Sequence, residues 1–172
     1  VSESNITVIG EFMGGGFGSK FGAGYWSLAA ARLAKKAGAP VKIMLGRRED
    51  QTDTGNRPDS IQDMKMGVDG DGKIAAYSVS NTGTPGIGRG ASVTNPMIYD
   101  IPRDMTASRR GEVATNAGGS QAFRAPGHPQ GSFGLETVMD LAAEKAGIDP
   151  VEFRLRNDSN FVRQQQYKEG AK

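Results

Sequence analysis

Residues 64–80 have the sequence MKMGVDGDGKIAAYSVS. Residues 64–68 alternate apolar and non-apolar side chains, a period typical of a half-buried β-strand. Residues 69–72, Asp-Gly-Asp-Gly, form a turn signal, and residues 74–80 return as a second strand. The stretch therefore predicts a β-hairpin. We take its two aspartates as turn residues, because the remaining ligands of a calcium-binding loop are missing.

Upstream of the hairpin, the sequence predicts a strand, a helix and a second strand. Residues 6–13 form a strand pattern interrupted by Gly10. Residues 24–37 place apolar side chains at three- and four-residue spacing until Gly38 ends the helix. Residues 40–45 form a strand pattern close behind this helix, which suggests a βαβ crossover.

Downstream of the hairpin, we expect a short strand at 112–117 and a helix at 129–146. A last short helix follows, with Asp149 as its N-cap and Pro150 in its first turn. Residues 160–172 are polar and contain no closing element, so we expect a tail or linker there. The fold class is α+β: short mixed β-sheets with packed helices and long glycine-rich loops.

The composition limits the classes of function. Glycine supplies 25 of 172 residues, roughly twice its usual share of ~7%. The 21 basic residues nearly balance the 19 acidic ones, without the basic stripe of a nucleic-acid binder. The absence of cysteine and the single histidine exclude disulfides, cysteine-ligated clusters and the usual zinc sites. No apolar run approaches the ~20 residues that span a bilayer, so we expect a soluble protein, with the cytoplasm favoured over the periplasm.

The first glycine-rich loop, GGGFGSK at 14–20, lies between a predicted strand and a predicted helix. Such a loop can bring backbone N–H groups against a phosphate or another oxyanion. It is not a nucleotide-binding P-loop, because Lys20 is flanked by Ser19 and Phe21 where that motif needs glycine and serine or threonine. A plain turn and a non-enzymatic anion- or nucleotide-binding module both remain open for this loop.

The second loop, QAFRAPG at 121–127, places Arg124 among small residues ahead of a helix that begins near a proline. The five donors of an arginine suit a polarised oxo or phosphate group. The alternative is that a carboxylate pairs with Arg124 and holds the loop in place. Chemistry alone leaves both interpretations open.

Several motifs in register resemble the molybdenum hydroxylases, the family of xanthine dehydrogenase and aldehyde oxidase. The likeness is to the large molybdopterin-binding subunit of that family, and it extends from about Ile6 to Asn157. The family subunit is much longer, so we expect this chain to be an internal piece. The motifs are GGGFGSK at 14–20, RRED at 47–50, QAFRAPGHPQ at 121–130, Glu136 with Asp140, and Asp149-Pro150 with Arg154 and Asn157.

The resemblance implies a molybdenum cofactor-binding domain over residues 1–159 and residue roles within both loops. Arg124 is the implied catalytic residue, near the oxygen ligands of the metal, and the chain supplies no metal ligand. The residues implied to contact a molybdopterin-type cofactor, with or without a cytosine dinucleotide, are Gly15, Gly16, Phe17, Gly18, Ala122, Phe123 and Arg124.

The implied substrate positions differ from those of purine-oxidising relatives. Phe21 stands where they have a glutamate, and Pro126 where they have a stacking phenylalanine. Their purine-holding arginine would fall near Gly90, where Arg89 is close but out of register. The resemblance therefore favours an aldehyde or a different N-heterocycle as the small-molecule substrate.

The implied reaction is hydroxylation with water as the oxygen source. Electrons would leave through iron–sulfur and FAD carriers in partner subunits or domains, and the remainder of the molybdenum subunit would be a further partner. The family's catalytic glutamate belongs to a downstream motif, so we expect this segment alone to lack it. We interpret Glu136 and Glu144 as structural and His128 as a solvated or loop-holding residue. A purely structural segment inside a larger subunit is a further alternative.

Overall fold

The computed structural model describes residues 1–88 and 90–172. The chain divides into two compact units, an N-terminal unit Val1–Met44 and a C-terminal unit Leu45–Lys172. None of the helices in these described ranges has the length and apolar character needed to cross a membrane. The elements are helices α1 Gly24–Ala37, α2 Arg47–Thr52, α3 His128–Ala146, α4 Pro150–Arg156 and α5 Phe161–Gly170, and strands β1 Asp59–Val68, β2 Ile74–Thr84 and β3 Thr106–Glu112.

The N-terminal unit contains the predicted first helix but neither of its predicted strands. Helix α1 ends at Gly38, which adopts a left-handed conformation and donates its N–H to the carbonyl of Ala34. The strands expected at 6–13 and 40–45 are wrong, because neither segment joins a β-ladder. A strand needs a partner for its backbone N–H and C=O groups, and the described residues of this unit offer none. The βαβ crossover is therefore not formed by residues 1–45, all of which the structure describes.

The predicted hairpin forms the centre of the C-terminal unit. Strand β1 runs antiparallel to β2, with Met66 opposite Tyr77. Strand β3 runs parallel to the other edge of β2, which gives a mixed sheet in the order β1-β2-β3. The side chain of Asp69 accepts the N–H groups of Asp71 and Lys73 at 3.0 and 2.8 Å. The two aspartates therefore close a turn, as predicted.

Strand β3 lies before the position expected from the sequence. We predicted a strand at 112–117, but the ladder occupies Thr106–Glu112. Nearly all side chains of β3 are exposed, so no apolar alternation marks it in the sequence. Its position is set by pairing with β2 rather than by a local pattern.

Helix α3, which packs against β1, and helix α4, which packs against α3, complete the sheet's surroundings in the C-terminal unit. Helix α3 begins one residue before its predicted start and ends at Ala146, as predicted, with Gly147 as its C-cap. Asp149 caps α4 by accepting the N–H groups of Val151 and Glu152, as predicted. The core of this unit consists of Ile74, Tyr77, Val79, Tyr99, Ile101, Leu135, Met139, Ala143 and Phe153.

The polar segment 160–172 contains helix α5, where a tail was expected. The side chain of Asn160 accepts the N–H of Arg163 and caps the helix. The Arg163 guanidinium contacts the buried carboxylate of Asp158 and donates to the carbonyl of Ile98 at 2.7 Å. Tyr167 donates its hydroxyl to the same carboxylate. The segment therefore folds through polar contacts rather than through an apolar stripe.

Buried Asn157 joins three parts of the C-terminal unit. Its side-chain oxygen accepts the N–H of Ile74 at 2.8 Å, and its amide donates to the carbonyls of Gly72 and Phe153, both at 2.9 Å. Its own carbonyl accepts the N–H of Asp100. The side chain of Asn157 thus joins the hairpin to α4, and its backbone adds the segment before β3.

We predict that Gly131→Ala destabilises the C-terminal unit, although alanine favours helices by about 1 kcal/mol over glycine. A Cβ at Gly131 would lie 1.8 Å from the carbonyl oxygen of Thr94, so α3 would have to move. Overpacking of this kind costs about 1–3 kcal/mol, and urea unfolding measures it. Gly70→Ala is the control, because its Cβ would meet open space. Equal stability of the two variants would contradict the prediction.

We predict that Asp158→Asn destabilises the protein at neutral pH and less so in acid. Hydrogen bonds from Arg163 are the chief cause that lowers the pKa of Asp158. The pKa of Asp158 is therefore lower in the folded protein than in the unfolded protein, where it is about 3.9. The resulting stabilisation is complete above the unfolded-state pKa and is lost as the pH falls through the folded-state pKa. Unfolding curves at several pH values should show the free energy of unfolding of the wild type approaching that of the variant in acid. Glu169→Gln, in an exposed pair, should change little.

Candidate functional site

The first glycine loop, in the N-terminal unit, folds back on itself. The N–H and the hydroxyl of Ser19 both donate to the carbonyl of Gly16, at 2.9 and 2.8 Å. The ammonium of Lys20 donates to the carbonyl of Gly15 at 2.9 Å. Lys20 therefore contacts its own loop, whereas the lysine of a P-loop reaches toward phosphates.

The conformation of this loop explains its residue types. Gly15 and Gly18 have φ values of 97° and 92°, which glycine adopts without steric cost. Phe17 has a φ of 51°, a left-handed conformation that costs a bulky residue energy. The side chains of Phe17 and Phe21 are 58% and 86% exposed.

The second loop, in the C-terminal unit, is fixed to two other segments by its backbone. Asn56 donates its N–H to the carbonyl of Gly119 and accepts the N–H of Gln121, at 3.1 and 2.9 Å. Ser120 donates its N–H to the carbonyl of Pro85 at 3.0 Å. These contacts hold the entry of the loop before it reaches Arg124.

The exit of the second loop contains a second strained residue. Ala125 has a φ of 57°, and its carbonyl accepts the N–H of His128 at 3.1 Å. Gly127 accepts the N–H of Thr94 at 3.2 Å. Among the described residues, Phe17 and Ala125 are the non-glycine residues with positive φ. Both predicted loops therefore contain backbone strain of the kind that concentrates at functional sites.

The side chain of Arg57, which lies outside the second loop in sequence, contacts the backbone of that loop. The Nη2 atom of Arg57 donates to the carbonyls of Phe123 and Arg124, at 3.0 and 3.3 Å. The guanidinium carbon of Arg57 lies 5.9 Å from the centre of the Phe123 ring, within the range of a cation–π contact. In the described ranges no carboxylate lies within 4 Å of either arginine. The alternative that a carboxylate pairs with Arg124 is therefore not observed there.

A cavity of about 100 Å³ lies beside this loop. Ala122 and Pro126 line it, together with Arg57 and Gly90. The buried side-chain oxygen of Gln130, another lining residue, lacks a hydrogen-bond partner among the described residues. The predicted residues Ala122 and Pro126 thus share a small cavity that has polar atoms in its wall.

A larger groove of about 620 Å³ runs between β1 and α3. Its lining is mainly apolar and includes Met64, Phe133 and Leu141. None of the predicted cofactor or substrate residues lines it, whereas Arg57 and Gln130 border both the groove and the smaller cavity.

Glu136 has the structural role expected of it. Its carboxylate accepts the hydroxyl of Tyr99 at 2.8 Å and the guanidinium of Arg154 at 2.7 Å, and Arg154 also contacts Asp140. Burial, and next the hydrogen bond to Glu136, raise the pKa of Tyr99 far above its usual range. This network joins α3 to α4 and includes no residue of the second loop.

The predicted site residues fall into both units. Residues 15–18 and Phe21 belong to the N-terminal unit, and residues 122–126 belong to the C-terminal unit. Arg89 lies outside the described residues. Sequence reasoning missed Arg57, because nothing local marks it: its partners are 66 and 67 positions away.

The family model of the molybdopterin cofactor-binding domain matches residues 1–158. The chain belongs to this family. It is 37% identical over 165 residues to the aldehyde oxidoreductase molybdenum-binding subunit of Escherichia coli K12. This alignment covers 92% of this chain and 22% of that one. It is 39% identical over 163 residues to the xanthine dehydrogenase molybdenum-binding subunit of Escherichia coli O157:H7, covering 91% and 22%.

Solved structures of related proteins share the fold. The aldehyde oxidoreductase of Desulfovibrio desulfuricans matches with a TM-score of 0.75 and 26% identity, over 92% of this chain and 19% of that one. The aldehyde oxidoreductase of Desulfovibrio gigas matches with a TM-score of 0.68 and 30% identity, over 87% and 17%. The chain therefore spans about a fifth of the length of these relatives.

We predict that Ala125→Gly raises the thermal midpoint of unfolding. The left-handed conformation costs an L-residue about 1 kcal/mol relative to glycine. Ala125→Val should lower the midpoint, because a β-branched residue suffers more there. Ala171→Gly is the control: its φ is −91°, so glycine relieves nothing. A stabilisation by Ala171→Gly equal to that by Ala125→Gly would refute the argument.

Proposed function

We propose that this chain forms part of the cofactor site of a molybdenum-dependent oxidoreductase of the aldehyde oxidase and xanthine dehydrogenase type. The protein would hydroxylate an aldehyde or an N-heterocycle with water as the oxygen source. The observation that supports this best is the left-handed backbone at Phe17 and Ala125. These residues lie in the two loops that resemble the cofactor loops of the family.

The donors of the second loop suit the anionic groups of a molybdenum cofactor. The guanidinium of Arg124 is exposed and has no carboxylate within 4 Å in the described ranges. The described residues contain no group of three or more histidine, cysteine, aspartate and glutamate side chains that could hold a metal. The residues that would hold the cofactor are Gly15, Gly16, Phe17, Gly18, Ala122, Phe123 and Arg124.

The cofactor, when bound, would supply the two-electron redox chemistry. The chain would bind it, orient it and exclude water from it. Arg124 would stabilise negative charge at the oxygen ligands of the metal, because a fixed cation is worth most where water is excluded. Backbone at Gly16 and Gly18 would lie flat against the pterin, because glycine has no side chain to hold them apart.

Phe21 and Pro126 would set the substrate class. Both are apolar, so neither can supply the hydrogen bonds and charge that hold a purine's polar edge. Pro126 also borders the small cavity beside the second loop. An aldehyde needs fewer dedicated hydrogen bonds than a purine, which favours aldehydes or less polar N-heterocycles.

The chain would act within a larger protein. Val8, Phe12 and Met13 are 89%, 94% and 89% exposed, which suggests that further protein covers them. We propose residues 1–159 as part of the cofactor domain. The remainder of the subunit would supply the catalytic glutamate, and iron–sulfur and FAD partners would take the electrons. A cytosine dinucleotide form of the cofactor and a cytoplasmic location are parts of the same proposal.

The test uses the full-length subunit purified with its natural partner chains. We predict molybdenum by metal analysis, a fluorescent pterin after oxidation, and aldehyde-dependent reduction of an artificial acceptor. Arg124→Ala should lower kcat on the order of 10²-fold, as expected for loss of one charge-stabilising group.

Arg47→Ala is the matched control, because the exposed side chain of Arg47 pairs only with Asp50, at 3.8 Å, in the described ranges and should leave kcat nearly unchanged. Absence of molybdenum and pterin from the purified protein would refute the proposal. Saturable nucleotide binding that disappears with Lys20→Ala would instead support a nucleotide-binding module.

A further inference from the structure

We propose that Arg57 is a positioning residue that fixes the direction of the second loop toward its anionic ligand. The inference rests on the proposed function. Arg57 belongs to neither loop and to none of the motifs that carry the family resemblance. Its role follows from its contacts with Phe123 and Arg124.

Arg57 holds two consecutive peptide groups. One nitrogen, Nη2, donates to the carbonyl of Phe123 at 3.0 Å and to that of Arg124 at 3.3 Å. Hydrogen bonds from a charged donor are worth more than neutral ones. The guanidinium also faces the Phe123 ring at 5.9 Å. One side chain therefore restrains both the backbone and an aromatic group of the loop.

The backbone on each side of Arg57 is itself restrained. On one side, Asn56 forms a bridge to the loop entry through Gly119 and Gln121. On the other side, the side-chain amide of Gln130 donates to the carbonyl of Pro58 at 3.1 Å. Little backbone entropy is therefore left to lose when Arg57 contacts the loop.

The direction of the carbonyls determines the direction of the following N–H groups. In a trans peptide the C=O and the next N–H point opposite ways, and no cis peptide occurs in the described ranges. Because the carbonyls of Phe123 and Arg124 face Arg57, the N–H groups of Arg124 and Ala125 face away from it. No backbone acceptor in residues 1–88 and 90–172 takes either N–H.

Two successive free N–H groups beside a left-handed residue form a concave anion-binding arrangement. The left-handed residue here is Ala125, and Pro126 contributes no N–H. Arg57 thus presents these donors on the side away from itself, while its charge adds to that of Arg124. No carboxylate within 4 Å offsets either charge in the described ranges, so the loop keeps a positive potential.

The test compares Arg57→Ala, Arg57→Lys and Arg47→Ala in the full-length subunit with its partner chains. Arg47 is the matched control, because its side chain is 85% exposed and pairs only with Asp50, at 3.8 Å, among the described residues. Hydrogen–deuterium exchange of residues 119–130 reports loop order without any cofactor. Molybdenum content, pterin fluorescence, kcat and KM report function.

We expect Arg57→Ala to speed hydrogen–deuterium exchange in residues 119–130 and to lower kcat or cofactor content. A misplacement of the loop by about 1 Å should lower kcat on the order of 10²-fold. The thermal midpoint and KM should change little. Arg57→Lys should recover part of both losses, because it keeps the charge but not the planar fork. Arg47→Ala should match the wild type.

The inference is overturned if exchange in 119–130 is the same in Arg57→Ala and Arg47→Ala. It is also overturned if exchange rises but cofactor content and kcat remain those of the wild type. A wild-type protein without molybdenum or pterin would refute the proposed function instead, and the exchange result would still decide whether Arg57 orders the loop.

Discussion

The C-terminal unit depends on a buried amide. Asn157 satisfies the N–H of Ile74 and the carbonyls of Gly72 and Phe153 with one side chain. Removing it would leave those backbone groups buried without partners, a cost of about 1–3 kcal/mol for each group. The hairpin turn and α4 therefore cannot separate without exposing or orphaning polar atoms, which fixes the sheet against the helices that carry the rest of the unit.

A series of hydrogen bonds connects the sheet to the second loop. Gln62 on β1 donates to the carbonyl of Gln130 at the start of α3, and Gln130 donates to the carbonyl of Pro58. Arg57, next along the chain, then holds the carbonyls on which the loop's direction depends. Because hydrogen bonds are directional, this series restrains the backbone of Arg124 relative to the sheet more closely than apolar packing would.

Local patterns predicted those elements that carry their own signals. The turn at 69–72, helix α1 and the cap at Asp149 were confirmed, because glycine, apolar spacing and a capping side chain act over a few residues. The strands at 6–13 and 40–45 were wrong, because alternation shows only that a segment could pair. Strand β3 was misplaced for the converse reason: its exposed residues pair without alternating.

By itself, the sequence determined the α+β class, helices α1, α3 and α4, the hairpin and the two glycine-rich loops with their family resemblance. Tertiary structure alone decided that a left-handed alanine follows Arg124, that α5 folds onto Asp158, and that Arg57 holds a loop 66 residues away. The physical reason is the separation along the chain over which each kind of interaction acts. Propensity and spacing act between neighbours in the chain, whereas a hydrogen bond to a distant carbonyl exists only after the whole unit has folded.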